Sequence, residues 1–592
     1  MPNPSTAPQT LLIAVGAALG LAYALWLLPW EFITGVSEFW QHGDPGSHVS
    51  ALQLYLHDQW HFPVFYTHRL NYPEGVNIAF ADVIPLAALL SKLFANSLPS
   101  DFHYFGFWVV FSYALQAAAA CLLLAACGVR RWAWLLLGVG LFLLAPAMLF
   151  RVHAHIALTT HGVILLGLVL YVAMTKQRIT QTQSLCWAAL LFVVSLLIHP
   201  YLLAMVVPLY IAGLWDRQRQ APVSGRVLVL QRTALFATLS VLPVLGVMGA
   251  GGYFDSGVAG LSGGGGFGFN SMNLIAPLIG GEFFQPARLT TGTDPGQLPM
   301  PYDATGGQFE GYNYLGLGVL AATLPLMLIH RRRLEALWRA HLGLVLILLG
   351  LLIYALSFKG YLGDIKLWST KVPFPLSELT DQFRASGRFF WPVGYVWILL
   401  VVLGLLHLRW RTSLVTSALV AILVVQWFDT RPLRDSTLGT LGLVPPHRID
   451  DTRLVAAVDH AKALYLFPTF GCGARPFEDI VPLQVIAAQT HTPFNTGLMA
   501  RGFGRCDDKE RTLDNGLEPH AAYVFLHSHF NKEALVRRFG ESVNTRCRSS
   551  QPGLVCAPLD RLARDGEAGQ DRLGSAMPGQ RRASADMQER GQ

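Results

Sequence analysis

Charge is what this sequence has least of. Asp, Glu, Lys and Arg together make up only 14% of the 592 residues, whereas 52% are hydrophobic. Soluble domains carry roughly 25% charged residues, so an ordinary soluble globule is excluded. The shortage is uneven: charge is sparse up to about Asp429 and dense beyond it. Cysteine is also scarce, with seven in the chain. No Gly-Lys-Ser/Thr follows the glycine run Gly263–Gly266, which excludes a P-loop and leaves a flexible linker as the simpler reading. A basic n-region and a small-residue cleavage site are both missing before the first apolar run, so that run is expected to be an anchor and not a signal peptide. The net charge of +7 does not mark a nucleic-acid face, because much of the arginine falls in short loops between apolar runs. No nucleic-acid partner is expected.

What is present is apolar length. Runs of about twenty residues, enough to cross the hydrocarbon core of a bilayer, recur through the first part of the chain. The expected fold class is an α-helical polytopic membrane protein followed by a small C-terminal α/β domain. Spans are placed near 10–29, 104–127, 132–150, 156–175, 184–199, 201–215, 233–250, 312–329, 341–357, 388–408 and 412–428. The segment 83–98 is short and interrupted, and reads as interfacial or re-entrant. Arg130 and Arg131, Lys176 and Arg178, the segments 216–232 and 330–339, and Arg409 with Arg411 all fall on one side under this count. By the positive-inside rule that side is cytoplasmic, as is the N-terminus. The expected location is a bacterial cytoplasmic (inner) membrane. The domains are then 1–430, transmembrane with outward loops 30–103, 251–311 and 358–387; 431–560, an extracytoplasmic α/β domain; and 561–592, a polar tail expected to be disordered.

Cysteine usage agrees with that direction. Cys121, Cys127 and Cys186 lie in or beside spans, whereas Cys472, Cys506, Cys547 and Cys556 lie in the polar domain. Four cysteines in an oxidising compartment suggest two disulfides, with three possible connectivities. Sequence proximity makes Cys472–Cys506 and Cys547–Cys556 the simplest. Ala463–Phe467 and Ala522–Leu526 read as buried strands, with helical patterns near 480–490 and 532–539.

Ionisable residues gather in the outward loops. The first holds Asp44 and His48, then Asp58, Arg69, Glu74 and Asp82, interleaved with aromatics. Asp44-Pro45 ahead of Val49, Leu52 and Leu56 is a good helix start, with Asp44 as N-cap and Pro45 at the first helical position. His48 falls one turn later on the same face. Capping and catalysis by Asp44 are compatible. The second loop ends with Glu310 just outside a span. The third is net basic, with Lys371, Arg384 and Arg388; on a helix the two arginines would share a face and offer forks to phosphate. His153 and His155 form only a weak metal pair, because residues two apart on a helix diverge. His199-Pro200-Tyr201 reads as the break of a helical hairpin. No metal ligand is assigned and no cofactor is required, although a divalent cation is compatible with the chemistry.

The stretches GDPGSHVSA, NYPEGVNIAFADVIPLAALLSK, FGFNSMNLIAPL, GQFEGYNYLGLG and FRASGRFFWPVGY together resemble an uncharacterised family of bacterial polytopic membrane proteins. Its layout is similar to that of the GT-C glycosyltransferases. That resemblance implies transfer of a sugar from a polyprenyl-phosphate carrier to a cell-envelope glycan or lipid on the outer side of the membrane. It implies membrane lipids, lipid-linked sugar and an envelope acceptor as partners. It places the catalytic base in the first outward loop, at Asp44, with His48 beside it, and donor phosphate on Arg384, Arg388 and Lys371. Many GT-C enzymes carry a paired acid or an arginine a few residues on; here Pro45 follows Asp44, and no acid or arginine comes before Asp58. A transporter or flippase of lipid-linked glycans and a non-catalytic envelope assembly protein are the alternatives. A transporter would need ionisable residues deep in its spans.

Overall fold

The computed structural model describes residues 6–220, 226–254, 266–280, 303–444, 449, 452–459, 461–500 and 506–559. Most of the glycine run Gly263–Gly266 and the whole tail 561–592 lie outside them.

Apolar helices dominate the first three quarters of the chain. Among the described residues, seven are long and apolar enough to cross a membrane: Gln9–Leu27, Phe105–Cys127, Ile156–Thr175, Gln181–Ile198, Val227–Gly251, Ser386–Leu406 and Thr412–Asp429. Two bent pairs raise the number to nine if each is one span. Trp132–Leu143 continues into Pro146–His153 through a 45° bend, and Arg331–Ala340 meets Leu342–Leu356 at 94°. The other two expected spans correspond to Pro200–Arg219, which ends in Asp216, Arg217 and Arg219, and to Leu317–Ile329, only 13 residues long. Neither belongs to those nine. The segment 83–98 holds the short helix Pro85–Lys92, which does not belong to them either.

Close approach of backbones, not side-chain bulk, joins the first two long helices. Gly16 and Gly20 of Gln9–Leu27 face Phe105–Cys127, where an added Cβ would lie 2.6 Å from Ala118 Cα and 2.2 Å from the Tyr113 carbonyl oxygen. This is the small-residue packing available to helices in lipid, where burial against a neighbouring helix removes no water. The bend at Pro146 follows from proline chemistry: its ring cannot continue the preceding helix and suits the first position of the next.

The C-terminal region is a four-stranded sheet with flanking helices. Leu464–Phe467 pairs in parallel with Ala522–Leu526, which pairs antiparallel with Gly553–Cys556, which in turn pairs with Cys547–Ser549. Every residue of Leu464–Phe467 and Ala522–Leu526 is buried, as their continuous apolar runs require. The helices Val481–Gln489 and Lys532–Phe539 fall where the pattern predicts them. Cys472 is bonded to Cys506 and Cys547 to Cys556, the simplest of the three connectivities.

This region packs onto the membrane part along the helix Gly43–Leu56. Gln484 Nε2 donates to the Ser47 carbonyl at 3.0 Å and to Ser50 Oγ at 2.9 Å. Glu74 pairs with Lys509 at 2.7 Å, Arg69 donates to the His491 carbonyl, and the rings of His57 and His491 lie tilted with centroids 3.8 Å apart. Residues 45–56 of the helix are buried without exception.

Candidate active site

The helix Gly43–Leu56 begins differently from the sequence expectation. Its N-cap is His42, and Asp44 lies within the first turn, half-buried, capping nothing. An acid there still gains from the helix dipole. One turn on, His48 is 3% exposed and its Nδ1 has no hydrogen-bond partner. Asp44 lies close enough to act on the His48 imidazole electrostatically.

Asp82 reaches the same place by a backbone kink. It ends the short helix Ile78–Ala81 with φ +54°, and Ile84 follows at φ +51°. Aspartate tolerates this left-handed conformation, whereas a β-branched isoleucine there is an outlier held by its surroundings. The kink sets Asp82 among three histidines. Its Oδ2 is 3.1 Å from His155 Nδ1 and 3.8 Å from His48 Nε2; its Oδ1 is 3.2 Å from His199 Nε2. The tautomer of His199 follows from its other nitrogen. Nδ1 accepts from the Tyr201 N–H, so Nε2 carries the proton donated to Asp82.

His155 also reaches the second carboxylate, with Nε2 at 3.3 Å from Glu310 Oε1. Glu310 is buried between two guanidinium groups. Arg151 Nη1 donates to Oε2 at 2.6 Å and Nη2 to the Glu310 carbonyl at 2.6 Å. Arg388 makes a fork, Nε to Oε2 at 3.0 Å and Nη2 to Oε1 at 2.8 Å. One helical end, one kinked loop, one bent span, one hairpin break and two loop ends thus meet in one cluster of titratable groups.

Burial opposes every charge in this cluster, and the partners decide each outcome. Burial raises the Asp82 carboxyl, but hydrogen bonds from His155 and His199 hold it well below the usual carboxylate range. Burial likewise raises Glu310, and Arg388, Arg151 and His155 together bring it well below. Burial lowers His155, yet its bonds to Asp82 and Glu310 lift it to about 9. His48 has burial without a comparable bond and is lowered.

The sequence candidates separate into three groups. Asp44, His48, Asp82, Glu310 and Arg388 belong to this site or its edge. Asp58, Arg69 and Glu74 do not. Asp58 accepts from Thr67 Oγ1 and the His68 N–H and folds its own loop, while Arg69 and Glu74 hold the C-terminal region. Arg384 and Lys371 are exposed. The two arginines do not share a helical face, because the helix Leu376–Gln382 stops before Arg384 and Arg388 lies in the next short helix, Ser386–Phe390. Arg388 is committed to Glu310. Of the His153–His155 pair only His155 joins the cluster; His153 packs edge-on against Phe150. Arg151, His155 and His199 were not assigned to a site from sequence. The available signal was positive or titratable charge at span ends on the side that the loop arginines avoid.

Residues 17–431 match the model of a domain of unknown function, DUF6311, and residues 453–558 match the DUF6311 C-terminal domain. The chain belongs to the DUF6311 family. It is an uncharacterised family, as the motifs suggested. The DUF6311 match contains every member of the cluster from His48 to Arg388, and the C-terminal match contains Gln484. No curated protein matches the chain.

Proposed function

We propose that this DUF6311 protein is a membrane glycosyltransferase of GT-C-like layout. It would move a sugar from a polyprenyl-phosphate carrier to an envelope glycan or lipid on the outer face of a bacterial inner membrane. The observation that carries the reading is the cluster itself: two carboxylates, two guanidiniums and three histidines gathered at the ends of apolar helices. A lipid-linked donor would leave its chain in the bilayer and bring its phosphate to that level. Two arginines around one glutamate leave net positive charge for the phosphate. Asp44, at the edge of the cluster, takes the proton of the acceptor hydroxyl as the sugar–phosphate bond breaks. The phosphate departs as a stabilised anion, so no general acid is needed.

Within the seven long helices, Asp, Glu, Lys and Arg occur only as Arg232, Arg388 and Asp429, each near a helix end. A transporter of the same lipids would place such groups deeper, so the enzyme is the better-supported reading. The test is the lipid and glycan profile of a deletion strain complemented with wild type, Asp44→Asn or Arg388→Lys. Asp44→Asn should insert normally and restore nothing, with lipid-linked sugar accumulating. Full complementation by Asp44→Asn would remove the proposed base.

A further inference from the structure

Three side chains in the cluster are arranged as ligands. His48 Nε2, Asp82 Oδ2 and His155 Nδ1 lie within 4.8 Å of one another and come from three separate elements. Ligand atoms on one first-row ion, each about 2.0–2.2 Å from it, stand roughly 3 to 3.5 Å apart. The Asp82–His155 separation of 3.1 Å falls in that range, and the Asp82–His48 separation of 3.8 Å closes to it with a small side-chain movement.

The partners of these atoms point the same way. A metal-bound histidine commonly donates its other N–H to a carboxylate, which fixes the tautomer and orients the ring. His155 has Glu310 in that position, and Glu310 is itself held by Arg151 and Arg388. The ligating carboxylate is also held: His199 donates to Asp82 Oδ1, which leaves Oδ2 turned to the other two ligands. His48 gives an independent indication. Its side chain is 4% exposed, its Nδ1 has no partner, and its Nε2 stands at 3.8 Å from Asp82, beyond a hydrogen bond. A buried imidazole nitrogen without a partner is costly, and Nε2, which makes no hydrogen bond within the protein, is left for a bound ion. The side chains of Asp82 and His155 are 20% and 22% exposed, so the site has an open side.

We propose that His48, Asp82 and His155 bind one divalent transition-metal ion, with Glu310 and His199 orienting the ligands. Two imidazoles and one carboxylate suit zinc or a neighbouring first-row ion, and an open side leaves room for a further ligand. The ion takes the place of the proton between His155 Nδ1 and Asp82, and that proton leaves to solvent. The site stands on ligand geometry alone. Its role, polarising the oxygen of the departing phosphate, rests on the glycosyltransferase reading.

The test uses the full chain purified in detergent, stripped with chelator and titrated with Co²⁺. Wild type should develop the strong visible bands of cobalt in a low-coordinate nitrogen–oxygen site, saturating at one ion per chain and bleached by Zn²⁺. Asp82→Asn and His155→Gln should lose them. His48→Gln provides a third variant should either of these fail to give a monodisperse, cooperatively unfolding protein. Asp44→Asn should keep the bands while losing transfer, so the metal site and the proposed reaction fail separately. A wild-type protein showing only the weak spectrum of hexaaqua cobalt, or well-folded ligand variants titrating like wild type, overturns the site.

Discussion

Two guanidinium groups close on one carboxylate at Glu310. Such a pair stabilises little in sum, because burial costs each ion most of what attraction returns, but losing one member is expensive. Glu310→Gln would leave Arg151 and Arg388 buried without a countercharge. The expected loss is about 3–5 kcal/mol, read as a lower unfolding midpoint in detergent. Arg388→Lys keeps the charge and loses the fork, so a smaller loss is expected. Lys92 supplies a separate test by pH. Its Nζ donates to the Tyr55 carbonyl at 2.8 Å. Burial pulls it from 10.5 to about 8. Between those two values the unfolded chain binds more protons than the folded one, so stability should rise with pH across that window. Lys92→Met should abolish the rise when unfolding midpoints are compared at pH 8 and pH 10.

The helix Gly43–Leu56 is the element on which His48 depends, and Gly46 sets how close it lies to its neighbours. A Cβ there would stand 2.6 Å from the Gln41 carbonyl carbon and 3.2 Å from Val481 Cγ1. Gly46→Ala should therefore push the helix off its seat, cost about 1–3 kcal/mol and weaken Co²⁺ binding without touching a ligand. At this scale the sequence was partly legible. Long apolar runs, the two parallel buried strands and the helix after Asp44 follow from periodicity, because local pattern decides them. The cluster does not. Arg151 is carried inward by the bend at Pro146, His199 by the break before Pro200, and Asp82 by two left-handed residues. Each is a local irregularity whose destination only the tertiary packing determines. Arg384 and Arg388 part for the same reason: the helical register that would give them one face breaks at Phe383.

At the scale of the whole molecule, the arginine pattern predicts that everything after Asp429 is extracytoplasmic. A reporter that fluoresces only in the cytoplasm, fused after Asp429, should stay dark. Non-reducing peptide mapping should recover Cys472 with Cys506 and Cys547 with Cys556. The two family matches divide the chain near residue 440, but the fold does not respect that division where Gln484 meets Ser47. Those two residues are 437 apart in sequence. At a synthesis rate of roughly 5–20 residues per second, Ser47 would wait on the order of 20–90 s for its partner. The helix that carries His48 thus gains these contacts only after the C-terminal region has been made. A transcript cut short after the final apolar helix would fill the membrane with protein whose ligand-bearing helix has never been seated.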